Sequence, residues 1–468
     1  MRSAILIGLF FFLGAACTLT NPTEKAAPTL TLAVTATPIR TATAPLTATS
    51  LPTDTPAPAT AQTDTPTPQI TPAISEADLE EMEDIQRQVS ELRGLQPVRE
   101  VEQTIFTPQE LEAYVIDLFA EDYGPEQAQI DLWVLSAFGL LEPDFDLYPF
   151  LLDLYSEQIA GFYDSEKEQM VIVQGGDFGG PERMTYAHEY THALQDQTYD
   201  IEEGLNIDEQ KCEADSERCA AIQALMEGDA TLAGLNWLFG YGTPEDLEQV
   251  MASAQELEMP ILDTAPEFIR SDLLFPYTAG AEFVQYLFEQ GGWGAVDQAY
   301  QELPQSTEHI LHPERYPQDQ PLPVTLPDLG ETLGAGWREV DRDDWGEWYT
   351  LLLLTTAVKP EARLSLDAAT AAAEGWGGDE YVVYVNDQTG ELVLVLTTQW
   401  DDPSEAEEFA SAFSQYASAR FGVEEQSQEN IWDGEAGYSE FRLNGDQTTW
   451  VLAPDSALAG KIWATLGE

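Results

Sequence analysis

The chain has 468 residues, with 84 acidic against 19 basic side chains and a formal net charge of −65. A balance this negative excludes nucleic acid and anionic lipid surfaces as partners, and it suits a saline, calcium-rich or alkaline exterior. No acidic stretch has the spacing of an EF-hand loop.

Residues 1–17 read as a lipoprotein-type signal peptide. Arg2 supplies a minimal positive region, Ala4 to Leu13 is apolar, and Gly14-Ala15-Ala16 places small residues before Cys17. The apolar run is too short to span a bilayer as a permanent helix. Small residues directly before a cysteine resemble a bacterial lipobox, although the usual leucine position is Gly14 and Leu13 stands one place early. The expectation is a lipid on Cys17, with plain secretion as the alternative. Residues 18–74 are rich in Thr, Pro and Ala, and such a tract buries no core. It reads as a disordered stalk.

From Ser75 onward the chain is long enough for two domains. Ser75 with Asp78 caps a helix whose Leu79, Met82, Ile85, Val89 and Leu92 form an apolar stripe. Val98 to Phe106 alternates like a strand, and Thr107-Pro108-Gln109-Glu110 is a capping box opening a helix through Leu118. Helical stretches follow near 126–140 and 146–158. Residues 159–163 and 169–173 form a predicted hairpin closed by Asp164 to Glu168.

Next comes Tyr186-Ala187-His188-Glu189-Tyr190-Thr191-His192, which contains H-E-x-x-H. On a helix, positions i and i+4 share a face, so His188 and His192 can reach one zinc ion. Glu189 lies one step round, placed to handle water as a general base rather than to ligate. Gly179-Gly180, Pro181 and Glu182 supply the signals that start such a helix. A second helix is predicted from Glu217 to Phe239. Within it, Glu227 and Asp229 lie among apolar neighbours, where a carboxylate needs a partner. Glu227 is the candidate third metal ligand, and Asp229 the candidate to orient a ligand histidine. Gln195 and Thr198 occupy the places where a metzincin has its glycine and third histidine.

The pairing of His188-Glu189-x-x-His192 with Glu227 resembles the gluzincin, thermolysin-like metallopeptidases. Phe162-Tyr163-Asp164, His188 to Gln197, Glu227-Gly228-Asp229-Ala230, Phe275-Pro276-Tyr277, Ser306-Thr307-Glu308, Leu311-His312-Pro313 and Gly375 to Asp379 also resemble a poorly characterised family of bacterial metallopeptidases. The resemblance runs from about residue 90 to 380. It implies zinc on His188, His192 and Glu227, with Glu189 as the base.

His312 precedes Pro313 and is biased to an extended loop. It is the candidate catalytic donor to a developing oxyanion, with Tyr316 as its rival. Cys212 and Cys219 are expected to pair, as befits an exported chain. After about Trp345 a helical stretch to Ala373 precedes strands at 381–385 and 391–398, a helix over 404–419, and a hairpin of 438–443 with 448–452.

The expected fold class is α+β. A mostly helical zinc metallopeptidase domain spans 75–345, with a small antiparallel hairpin beside the motif helix, and a small α+β domain spans 346–468. The expected function is an exported zinc hydrolase of protein or peptide substrates. It is held by its lipid alone at the extracellular face of a bacterial membrane, or secreted. The alternative is a cell-surface binding protein with a purely structural zinc site, and the retained Glu189 argues against it. Sequence leaves oligomeric state open.

Overall fold

The computed structural model describes residues 74–157, 161–173, 178–256, 259–422, 430–434 and 437–467. The leader with Cys17, and the stalk up to residue 73, lie outside them. No helix among the described residues is long and apolar enough to cross a membrane.

In chain order the elements are α1 (Glu76–Arg93), β1 (Glu102–Phe106), α2 (Pro108–Asp122), α3 (Pro125–Phe138), α4 (Leu147–Glu157), β2 (Gly161–Asp164) and β3 (Gln169–Val173). The motif helix α5 (Gly180–Tyr199) leads through α6 (Glu209–Ala214) into α7 (Ser216–Gly240). Then come α8 (Pro244–Glu256), α9 (Pro260–Asp263), α10 (Glu267–Gly291), α11 (Trp293–Ala299), α12 (Thr307–Leu311) and α13 (Gly330–Leu333). The last part holds β4 (Trp337–Asp343), α14 (Gly346–Thr355), α15 (Leu366–Ala373), β5 (Trp376–Asn386), β6 (Leu392–Trp400), α16 (Pro403–Phe421), β7 (Ile431–Gly434), β8 (Gly437–Asn444), β9 (Gln447–Ala453) and α17 (Ser456–Leu466). The fold class is α+β.

Local chemistry explains the helix starts. Both Ser75 and Thr107 accept from the third helical amide, while Asp78 and Glu110 reach back to the cap. On α1, Met82, Ile85 and Val89 are buried, as the stripe requires. The hairpin of β2 and β3 forms with Phe162 opposite Val171. β1 joins it in parallel, Glu102 to Phe106 against Gln169 to Val173, giving the order β1-β3-β2. The expected strand from Val98 is shorter, because the amides of Val98 and Arg99 donate to Gln197 Oε1 instead of a ladder.

Six strands make the second sheet, ordered β4-β5-β6-β9-β8-β7 and antiparallel throughout. The apolar core is continuous across residue 345, where the sequence places a boundary. One cluster runs from Leu111 on α2 to Leu452 on β9. Phe138 stacks on Trp345 at 3.6 Å between centroids. The end of α3 is closed by α16: Tyr416 donates its hydroxyl to the Phe138 carbonyl, and Arg420 Nη2 donates to the Ala137 carbonyl at 2.6 Å.

Candidate metal centre

Helix α5 is buried along its length from Thr185 to Gln195, packed against α1, α7, α8 and β2. Its N-cap, Gly179, has no side chain to accept from the first amides. Instead the amide of Gly179 donates to Glu182 Oε2, and that of Gly180 to Gln249 Oε1. Helix α7 crosses α5 closely and presents Glu227 to the two histidines. On its other side α7 meets α10 at a glycine pair. A methyl on Gly228 would overlap the Gly280 carbonyl, and one on Gly280 the Ala224 carbonyl.

Three ligand atoms converge. His192 Nε2 lies 2.9 Å from His188 Nε2, and Glu227 Oε2 lies 3.1 Å from the first histidine and 3.3 Å from the second. Ligands at about 2.0–2.1 Å from a tetrahedral zinc stand about 3.3–3.4 Å apart. The residues therefore fit the ion. All three are buried, as is Glu189. Among the described residues one other group has comparable spacing, Glu308, Asp319 and Asp401. There Arg315 already supplies the cation, 2.6 Å from Glu308 and 3.6 Å from Asp401.

Glu189 is divided in its bonding. Its Oε2 accepts the Tyr163 amide at 2.8 Å, and its Oε1 is buried with no hydrogen-bond partner. Burial pushes its carboxyl up to about 8, opposed by the charge of His192. Burial also drives His188 down to about 4. For His192 burial pulls the same way, but the neighbouring Glu227 carboxylate outweighs it and raises the ring to about 9. Glu227 is itself held low, its burial overcome by the two histidines. A cavity opens onto this cluster, walled by Tyr163, Ser165, His192, Ile201, Gln223, Met226 and Glu227.

The tautomer of His192 follows from its partner. Gln195 donates its amide NH₂ to the Met226 carbonyl and to Asp229 Oδ2, both at 3.0 Å. Its Oε1 must therefore face His192 Nδ1, 2.8 Å away, so the neutral form of the ring, the one able to ligate, carries its proton on Nδ1 and its lone pair on Nε2. Asp229 is the residue expected to orient a ligand histidine. It reaches His192 only through Gln195.

His312 is placed elsewhere. It follows α12, and its Nε2 bonds Glu347 Oε1 at 2.8 Å on α14 rather than any residue of the metal centre. Burial lowers its ring, but the bond to Glu347 raises it more. Tyr316 donates to the Glu302 carbonyl, and His309 is buried as a support that accepts the Gln305 amide. The phenol beside the ligands is Tyr277, hydrogen-bonded to Glu227, its ring 6.5 Å from that of His188. Sequence reasoning missed Tyr277 and Gln195 as site residues. Gln195 had a signal, since it lies three residues after His192 and so on the same helix face. Tyr277 sits on another helix and had none beyond its place in Phe275-Pro276-Tyr277.

Cys212 and Cys219 are disulfide-bonded, with Cα atoms 5.5 Å apart, and tie α6 to the first turn of α7.

Residues 331–463 match a family described as a domain of unknown function, DUF8575. That stretch holds the six-stranded sheet and its flanking helices, and none of the metal-centre residues. No curated protein and no solved structure matches the chain.

Proposed function

We propose that the chain is an exported zinc-dependent peptidase, anchored by lipid at Cys17, with zinc on His188, His192 and Glu227. When bound, zinc supplies Lewis acidity toward water and toward a carbonyl oxygen. The observation that carries the reading is Glu189. One oxygen is fixed by the Tyr163 amide while the other is buried without a partner, beside the three converging ligands. A closed structural site has no use for such a group. A carboxylate with one oxygen fixed and the other open can accept a proton from water and return it to the leaving amine, its ionised form being favoured once a cation sits on the neighbouring ligands. Tyr277, whose hydroxyl bonds Glu227 beside the ligands, is the donor we assign to negative charge on the substrate oxygen.

The test is a proteome-derived peptide library incubated with purified protein, with and without chelator, for the parent and Glu189→Gln. We expect chelator-sensitive cleavage by the parent, and zinc retained without turnover in the variant. Undiminished cleavage by Glu189→Gln, or none by the zinc-loaded parent, overturns the reading.

A further inference from the structure

We propose that Arg93, the last residue of α1, is a positioning residue of the metal centre, acting on His192 through Asp229 and Gln195. The inference rests on the metal reading above and extends it to a helix that contributes no ligand.

Arg93 has no exposed surface, and a buried guanidinium persists only where its donors are met. Its Nε and Nη2 donate to the two oxygens of Asp229 at 2.6 and 3.1 Å, and its Nη1 donates to Asp297 at 2.6 Å. The guanidinium carbon lies 4.6 Å over the ring of Trp293. A two-point grip of this kind fixes the plane of a carboxylate as well as its position. Tyr300 adds a third restraint, donating its hydroxyl to Asp229 Oδ2 at 2.8 Å. Oδ2 is thereby aimed at the amide of Gln195.

Rotation of the Gln195 amide is what matters to the metal. Held as it is, Gln195 offers an acceptor to His192 Nδ1. Turned over, it would offer a donor, and the ring would then carry its proton on Nε2, the atom that faces His188 and Glu227. That tautomer cannot ligate through Nε2. Two acceptors oppose the turn, the Met226 carbonyl and Asp229 Oδ2, and Arg93 sets the second. Outer partners of this sort typically affect metal affinity by about 10–100-fold.

The experiment measures apparent zinc affinity by chelator competition on full-length folded protein. It also follows the ring Nδ1–H proton of His192 by NMR in the zinc-loaded state, a tractable assignment in a chain with four histidines. We expect Arg93→Met to weaken zinc by roughly tenfold and to shift or lose the Nδ1–H signal. Gln195→Met should show a loss at least as large, and the double variant should be no worse than Gln195→Met alone, because the two act in series. Asp297→Asn, which touches Arg93 but not Gln195, should keep zinc affinity within about twofold. If Arg93 merely holds α1 in place, Arg93→Met lowers melting temperature while affinity and the Nδ1–H signal stay at parent values, and the proposal falls. Additive losses in the double variant overturn it too. Should Arg93→Met not fold, Arg93→Lys replaces it. One ammonium cannot grip both oxygens of Asp229 while reaching Asp297, so a several-fold loss is expected, and parent-like affinity refutes the idea. A parent protein that binds no zinc would remove the metal reading itself. A parent that binds zinc no better than Arg93→Met removes only this extension.

Discussion

Helix α7 offers a paired experiment, because two of its buried glycines face different neighbours. At Gly228 a methyl group would overlap the Gly280 carbonyl and lie 2.9 Å from the Ala281 amide nitrogen. Both obstacles are backbone of α10, so no side chain can swing aside. Relief requires the helices to part by roughly 1 Å, and overpacking of this kind costs about 3 kcal/mol, the upper end of its usual range. At Gly234 the same methyl would sit 3.5 Å from the Met184 carbonyl and 3.6 Å from His188 Cβ, which is ordinary contact. There the gain in helix propensity, about 0.8–1 kcal/mol, stands unopposed. In a chain this large, 1 kcal/mol moves the melting temperature by roughly 2 °C. Less the same propensity gain, the net cost at Gly228 is about 2 kcal/mol, so Gly228→Ala should lower it by about 4 °C and Gly234→Ala raise it slightly, read by calorimetry or thermal fluorescence. Gly228→Ala should also weaken zinc, since Glu227 adjoins the displaced turn and Tyr277 rides on α10. Equal effects from the two substitutions would refute the close helix contact on which the argument depends.

If Tyr277 is the donor, Tyr277→Phe lowers kcat by on the order of 10²–10³ with little change in KM. His312→Ala then leaves kcat within a few-fold and costs about 1–3 kcal/mol of stability, by stranding the buried Glu347; steady-state kinetics showing the reverse order would hand the role back to His312. Reducing the Cys212–Cys219 bridge, which closes a short loop, should cost about 2–3 kcal/mol in denaturant titrations, and an unchanged midpoint counts against it. Burial, then Asp379, Asp343 and Asp215, push the Asp344 carboxyl up to about 8. The folded chain thus holds a proton that the unfolded chain releases near pH 4, and stability falls as pH rises from there through 8. Asp344→Asn should gain about 1–2 kcal/mol at pH 9 and almost nothing at pH 4, the figure being reduced for partial solvent access; parallel pH–stability curves for variant and parent would contradict this.

What could be read from the sequence was local. Ser75 and Thr107 announce their helices because a capping box lies within four residues. The segment around Glu227 drew notice because a carboxylate among apolar neighbours needs a partner, and the partners turn out to be the two motif histidines. Strand β4 escaped notice for the opposite reason. Trp337-Arg338-Glu339-Val340-Asp341-Arg342-Asp343 has no apolar alternation, and it is a strand because β5 offers it an edge. The parallel pairing of β1 with β3 spans more than sixty positions and leaves no trace in either segment. Arg93 is likewise silent. An arginine at a helix end is ordinary until a carboxylate 136 positions later is known to lie beside it.

The closure of α3 by Tyr416 and Arg420 bears on the order in which this molecule is completed. Synthesis runs one way, and early segments begin to fold first. Arg93, His188, His192 and Glu227 have all been made by the end of α7, long before the residues that finish α3 and the core around it. On the metal reading, the three side chains can meet the ions of their surroundings before α10 brings Tyr277 beside them. Metals of this class are sorted by geometry and availability more than by raw affinity. If the site is a metal site, the compartment in which the chain folds has as much say in which ion it takes as the ligands themselves.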